Sequence, residues 1–137
     1  MSPEELKKRT KQFALRGIKL FNSLPKRKDA EVLGVQLLRA STSVGANYRA
    51  ACRARSQADF ISKITVVEEE ADESAYWIEL LGESGIIKQS LLRDLLQEAN
   101  ELTAIFTSSG KTAKGTKLNS QFKIRNSQLI NRTTNVY

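Results

Sequence analysis

A chain of 137 residues in which 40% are hydrophobic, with seven glycines and two prolines, is long enough for one domain with its own core and is neither disordered nor fibrous in composition. It has no apolar run long enough for a membrane span. Its opening residues Met1-Ser2-Pro3-Glu4-Glu5 lack a signal-peptide pattern, and its lone Cys52 has no internal disulfide partner, so a cytoplasmic location is expected. The net charge of +7 is unevenly spread: residues 1–55 carry 13 Lys/Arg against four acids, residues 56–101 carry three against 11, and residues 102–137 carry six against none.

The first predicted helix runs from Pro3 to about Ser23. Ser2 caps it, Pro3 suits the first turn, and Glu5 completes a capping box. Leu6, Phe13, Ile18, Leu20, Phe21 and Leu24 form its apolar stripe, Pro25 ends it, and Lys26-Arg27-Lys28 connect it to the next helix. The second helix spans about Asp29 to Arg53. Leu33, Leu37, Ala40, Val44, Tyr48 and Ala51 keep one face apolar, and the small residues Ser41, Thr42, Ser43 and Gly45 let a neighbour approach closely.

The third helix starts after Ser56, with Asp59 as a weaker capping-box partner. Phe60, Ile64, Val67, Ala71, Ser74, Ile78 and Leu81 form a heptad-type seam suited to near-parallel packing, and Gly82 or Gly85 provides the stop. The fourth helix runs from about Gln89 to Thr107 with Leu92, Leu95, Leu96, Ala99, Leu102 and Phe106 inward. Long amphipathic helices with short connections predict an all-α, antiparallel up-down four-helix bundle over residues 1–108. Residues 109–137 read as a flexible basic tail: a Ser/Gly/Lys linker, then the repeat Asn119-Ser120-Gln121-Phe122-Lys123-Ile124-Arg125 and Asn126-Ser127-Gln128-Leu129-Ile130-Asn131-Arg132.

Conventional catalysis has few materials here. The absence of histidine removes the Ser-His-Asp triad, the Cys-His pair and imidazole metal sites, and there is no glycine-rich nucleotide loop. Carboxylates cluster at Glu68-Glu69-Glu70, Asp72 and Glu73, and the other helices offer few further metal-ligand candidates beyond Asp94 and Glu98, so the cluster reads as a solvated or salt-bridged helix face. No cofactor is expected.

Two readings remain for the charge. The basic and acidic hairpins attract each other, within or between subunits, or the basic side meets nucleic acid. For the second reading the candidate residues are Lys7, Lys8 and Lys11 on helix 1 and Arg49, Arg53 and Arg55 near the end of helix 2. Ser43 and Asn47, one turn apart beside the apolar stripe, need polar partners; Glu69 and Glu73 of helix 3 are the candidates for a structural network.

The blocks Ser43-Val44-Gly45-Ala46-Asn47-Tyr48-Arg49-Ala50-Ala51, Arg53-Ala54-Arg55-Ser56-Gln57-Ala58-Asp59-Phe60-Ile61 and Glu69-Glu70-Ala71-Asp72-Glu73-Ser74-Ala75-Tyr76-Trp77 strongly resemble the bacterial four-helix-bundle family known as 23S rRNA intervening-sequence proteins. The resemblance spans about residues 5–107. One departure is Ala50, where the family commonly carries an acidic residue. The resemblance implies a ring-like homopentamer without catalytic residues. It also implies kinship with the pentameric accessory proteins of diversity-generating retroelements, which bind nucleic acid and a reverse transcriptase. Expected partners are therefore further copies of the chain, RNA or DNA, or a protein encoded nearby.

Overall fold

The computed structural model describes the backbone of residues 1–134 and the side chains of residues 1–115. Four helices follow one another: α1 (Pro3–Ser23), α2 (Lys28–Cys52), α3 (Gln57–Glu83) and α4 (Gln89–Thr134). α1 begins as its sequence dictates, with Ser2 Oγ accepting from the Glu5 amide at 3.1 Å and Glu5 Oε2 accepting from the Ser2 amide at 3.2 Å. At the start of α3 only half of the box forms. Ser56 Oγ accepts from the Asp59 amide, but the Asp59 carboxylate turns to the Arg55 amide and to Lys63.

α3 stops at Gly85, whose φ of 80° is the left-handed conformation that a side chain would resist. The Gly85 amide donates to the Gly82 carbonyl, and the Ile87 amide reaches back to Leu81. Gly82 is instead a helix residue, buried where its missing side chain leaves room for Gln89 and Leu92 of α4.

Each helix packs against its sequence neighbours, while α1 and α4 meet only sparsely. The core is the predicted set of stripes: Leu37, Val44, Ile64, Val67, Ile78, Leu81, Leu102 and Phe106 are all essentially inaccessible, with Phe13 from α1. Tyr48 lies against Phe106 with ring centroids 5.3 Å apart. α1 contributes less apolar surface than its sequence suggests. Ile18 is exposed, and the buried positions of the helix are Leu6, Thr10, Phe13 and Gly17.

Small residues explain this. A Cβ on Gly17 would collide with Ser41 Oγ and come within 2.9 Å of Ser41 Cβ, and one on Gly45 would lie 3.2 Å from Thr10 Oγ1. α1 and α2 therefore approach along a small-residue seam rather than through interleaved large side chains. Thr10 closes its buried hydroxyl onto the Leu6 carbonyl at 2.8 Å.

The sequence placed the end of the fourth helix near Thr107 and a flexible linker after it. Residues 109–115 are helical instead and remain packed. Gly110 lies against Ile64, Ala113 is buried, and the Ala113 carbonyl accepts from Gln57 Nε2 at 2.9 Å. Glycine and serine, which suggest a linker by composition, here allow a close approach to α3. The tail repeat at residues 119–132 lies outside the described side chains.

Candidate nucleic-acid interface

Antiparallel packing puts the start of α1 beside the end of α2, which brings together two basic segments some forty residues apart in sequence. Lys7, Lys8, Lys11 and Arg49, with Glu4, line one groove of about 290 Å³ on the outer face of this pair. Lys7 also forms the wall of a second cleft, of about 600 Å³, that opens around the end of the bundle. Tyr48, Cys52, Arg55, Gln57 and Phe60 line it.

Five of the six candidate cations thus border two clefts that share a residue. Arg53 lies outside both; it caps the end of α2 and is exposed. Among the described residues, only Lys7 of the six has an acidic partner, Glu4 at 3.2 Å. Such an exposed pair holds its partner weakly, so the groove keeps a strong positive excess.

Two other basic residues of the first hairpin, Arg9 and Arg27, are committed elsewhere. Arg9 Nε donates to Glu98 at 2.8 Å, and its Nη2 donates to Glu98 at 2.6 Å and to Glu101 at 3.0 Å. This fork raises the Arg9 pKa and holds the Glu98 carboxyl below its ordinary value. It ties α1 to α4 where apolar contact is thin. Arg27 is clamped in the same way by Asp29 at 2.7 Å. The sequence could not separate Arg9 from the groove lysines, because only the fold places Glu98 and Glu101 opposite it, whereas Asp29 is a near neighbour of Arg27 along the chain.

The polar network expected among Ser43, Asn47, Glu69 and Glu73 does not form. Ser43 Oγ donates to the Arg39 carbonyl at 2.6 Å and Asn47 Nδ2 to the Ser43 carbonyl at 2.8 Å. Glu69 and Glu73 are exposed, and Glu73 accepts instead from Trp77 Nε1 at 3.3 Å. A side chain on a helix always has a carbonyl one turn back within reach, so no partner from another helix is required. The acidic run does make one cross-helix bond, from Thr107 Oγ1 to Glu68 at 2.8 Å, joining α4 to α3.

The acidic helix α3 carries its own exposed features. Tyr76 is half exposed and packs edge-on to Trp77 at 5.0 Å, and Val66 is also accessible. Burial, with Glu73 and Glu69 nearby, pushes the Glu70 carboxyl above its ordinary value. Among the described residues, no three acidic or cysteine side chains converge in a way that would hold a metal ion. Nor, among the described residues, is any helix long and apolar enough to cross a membrane.

The family model described as 23S rRNA-intervening sequence protein matches residues 4–108. A crystal structure of a protein of unknown function from the S23 ribosomal protein family of Bacteroides thetaiotaomicron superposes with a TM-score of 0.75 at 33% identity. The match covers 81% of this chain and 99% of that one. No curated protein matches the sequence.

Proposed function

The chain belongs to the 23S rRNA-intervening sequence protein family, and from that premise we propose that it is a non-catalytic, cytoplasmic scaffold that binds RNA or DNA. Its contact surface is the groove between α1 and α2. The observation that carries this reading is the convergence of Lys7, Lys8, Lys11 and Arg49 on one groove with a single acid among them. A polyanion gains from such a cluster by releasing condensed counterions, with no shape or base specificity required.

The same reading makes the protein homo-oligomeric, with the pentamer implied by its resemblance as the expected count. Support comes from exposed apolar side chains on outward faces, Val32 and Val35 on α2 and Val66 and Tyr76 on α3, beside a surface divided into basic and acidic halves. No cofactor is needed for this role.

A mobility-shift or anisotropy titration of oligonucleotides at 50 mM salt tests the binding. Replacing Lys8, Lys11 and Arg49 together with glutamate should abolish it while leaving the helical content unchanged. A folded wild-type protein that binds neither RNA nor DNA under these conditions would overturn the reading. In that case the exposed apolar residues and the acidic α3 face favour a second reading, a module for protein–protein assembly. Light scattering at low and high salt addresses that role: an oligomer that dissociates in salt uses its charges for assembly.

A further inference from the structure

We propose that the cleft behind Lys7 receives an unpaired nucleotide, so that the groove takes single-stranded nucleic acid in preference to a duplex. The inference rests on the reading of the α1–α2 groove as a phosphate-binding surface. Lys7 is the residue common to the outer groove and to the second cleft. A strand held by Lys8, Lys11 and Arg49 therefore reaches that cleft by passing Lys7.

The two compartments differ in chemistry. The outer groove is lined by charged side chains alone. The second cleft is lined by Arg55, by the half-buried Phe60 and by the polar side chain of Gln57. It is open to solvent, and its volume of about 600 Å³ leaves room for a base and its sugar. An aromatic wall beside cations is the combination that holds a stacked base with its phosphate, and stacking of this kind tolerates any base. A duplex stacks its bases on one another and offers a protein only their edges, in the grooves, beside sugar and phosphate. It can meet Lys8, Lys11 and Arg49 but cannot lay the face of a base against Phe60.

Cys52 supplies a native reporter. It lines this cleft, is exposed, and is the only cysteine of the chain. The test uses the full-length protein with a 12-nucleotide RNA lacking self-complementarity, its DNA counterpart, and the duplex of each. Affinity is followed by anisotropy and Cys52 by its rate of maleimide alkylation. At saturation the single strands should slow alkylation about tenfold, and the duplexes less than twofold. Phe60→Leu keeps an apolar group against the core but removes the aromatic face. Once shown to be folded by circular dichroism, this variant should lose about fivefold or more in single-strand affinity with duplex affinity unchanged.

Equal protection by duplex and single strand would overturn the proposal. So would tight single-strand binding with Cys52 left reactive, or a folded F60L variant that binds single strands normally; in each of these cases the phosphate groove itself still stands. Failure of all four oligonucleotides to bind would remove the groove reading and this inference together.

Discussion

Single residues in this bundle act mainly through the space they leave or the charge they fix. Gly17 is the clearest instance, since any side chain there meets Ser41 across the α1–α2 seam. Gly17→Ala should cost about 2 kcal/mol, the scale of overpacking a tight contact, and denaturant unfolding would register it. Arg9 is the matching case for charge. Its fork onto Glu98 is largely shielded, with side-chain exposures of 26% and 15%. Arg9→Ala should cost about 1–2 kcal/mol at neutral pH, less than a fully buried charged bond because water still reaches both partners. The pH dependence follows in sign. Glu98 titrates below its ordinary value of 4.5 because the guanidinium bonds its charged form. The stability this adds is complete above that ordinary value and fades as pH falls through the lowered one. Stability curves of the wild type and Arg9→Ala should therefore converge below pH 4.5. Glu70 has the opposite sign: burial and its acidic neighbours raise its pKa, so it favours folding more once protonated. Glu70→Gln should raise the melting temperature slightly at pH 7 and not at pH 4.

At the scale of whole elements, α3 and the described part of α4 differ in how openly the sequence announces them. The seam of α3 recurs at heptad spacing, and each of its positions from Ile64 to Leu81 is buried. The apolar spacing of α4 ends at Phe106, so its continuation does not register as an amphipathic pattern. What holds residues 109–115 to the bundle is a buried Ala113, a glycine against Ile64 and one side-chain bond from Gln57. Ala113→Asp should cost about 2 kcal/mol by burying a carboxylate without a partner, whereas a helix that ended at Thr107 would tolerate it. Chemical denaturation of the variant distinguishes the two. The small-residue stretch of α2 shows the same ambiguity resolved the other way. Ser41 and Gly45 are poor helix formers, yet the helix runs through them, and their small size lets Gly17 and Thr10 of α1 come close.

For the whole molecule, the question is where the net positive charge resides. Antiparallel packing gathers Lys7, Lys8 and Lys11 with Arg49 and Arg55, while Arg9 and Arg27 are neutralised within the chain. If these five cations, four in the groove and Arg55 in the second cleft, meet phosphates, the logarithm of single-strand affinity should fall against the logarithm of salt with a slope of roughly −3 to −4. Removing Lys11 should reduce that slope by a little under one. Removing Arg9 should leave it unchanged, since its charge already faces Glu98 and Glu101. Titrations at several salt concentrations would measure all three.

Local sequence rules determined the four helices, their starts at Ser2 and Ser56 and their inward stripes, because capping and the 3.6-residue period depend on neighbours along one chain. The opposite charges of the two hairpins were equally legible. What needed the tertiary structure was which residues meet between helices. It decided that Gly17 is a contact point, that Gly45 meets Thr10, that Ser43 and Asn47 satisfy themselves, and that Gly110 belongs to a helix. It also sorted the cations, leaving Lys8, Lys11 and Arg49 in a groove while assigning Arg9 to a strut between α1 and α4. The physical reason is that a charge acts through what stands opposite it, and across a bundle that partner lies up to 92 residues away along the chain.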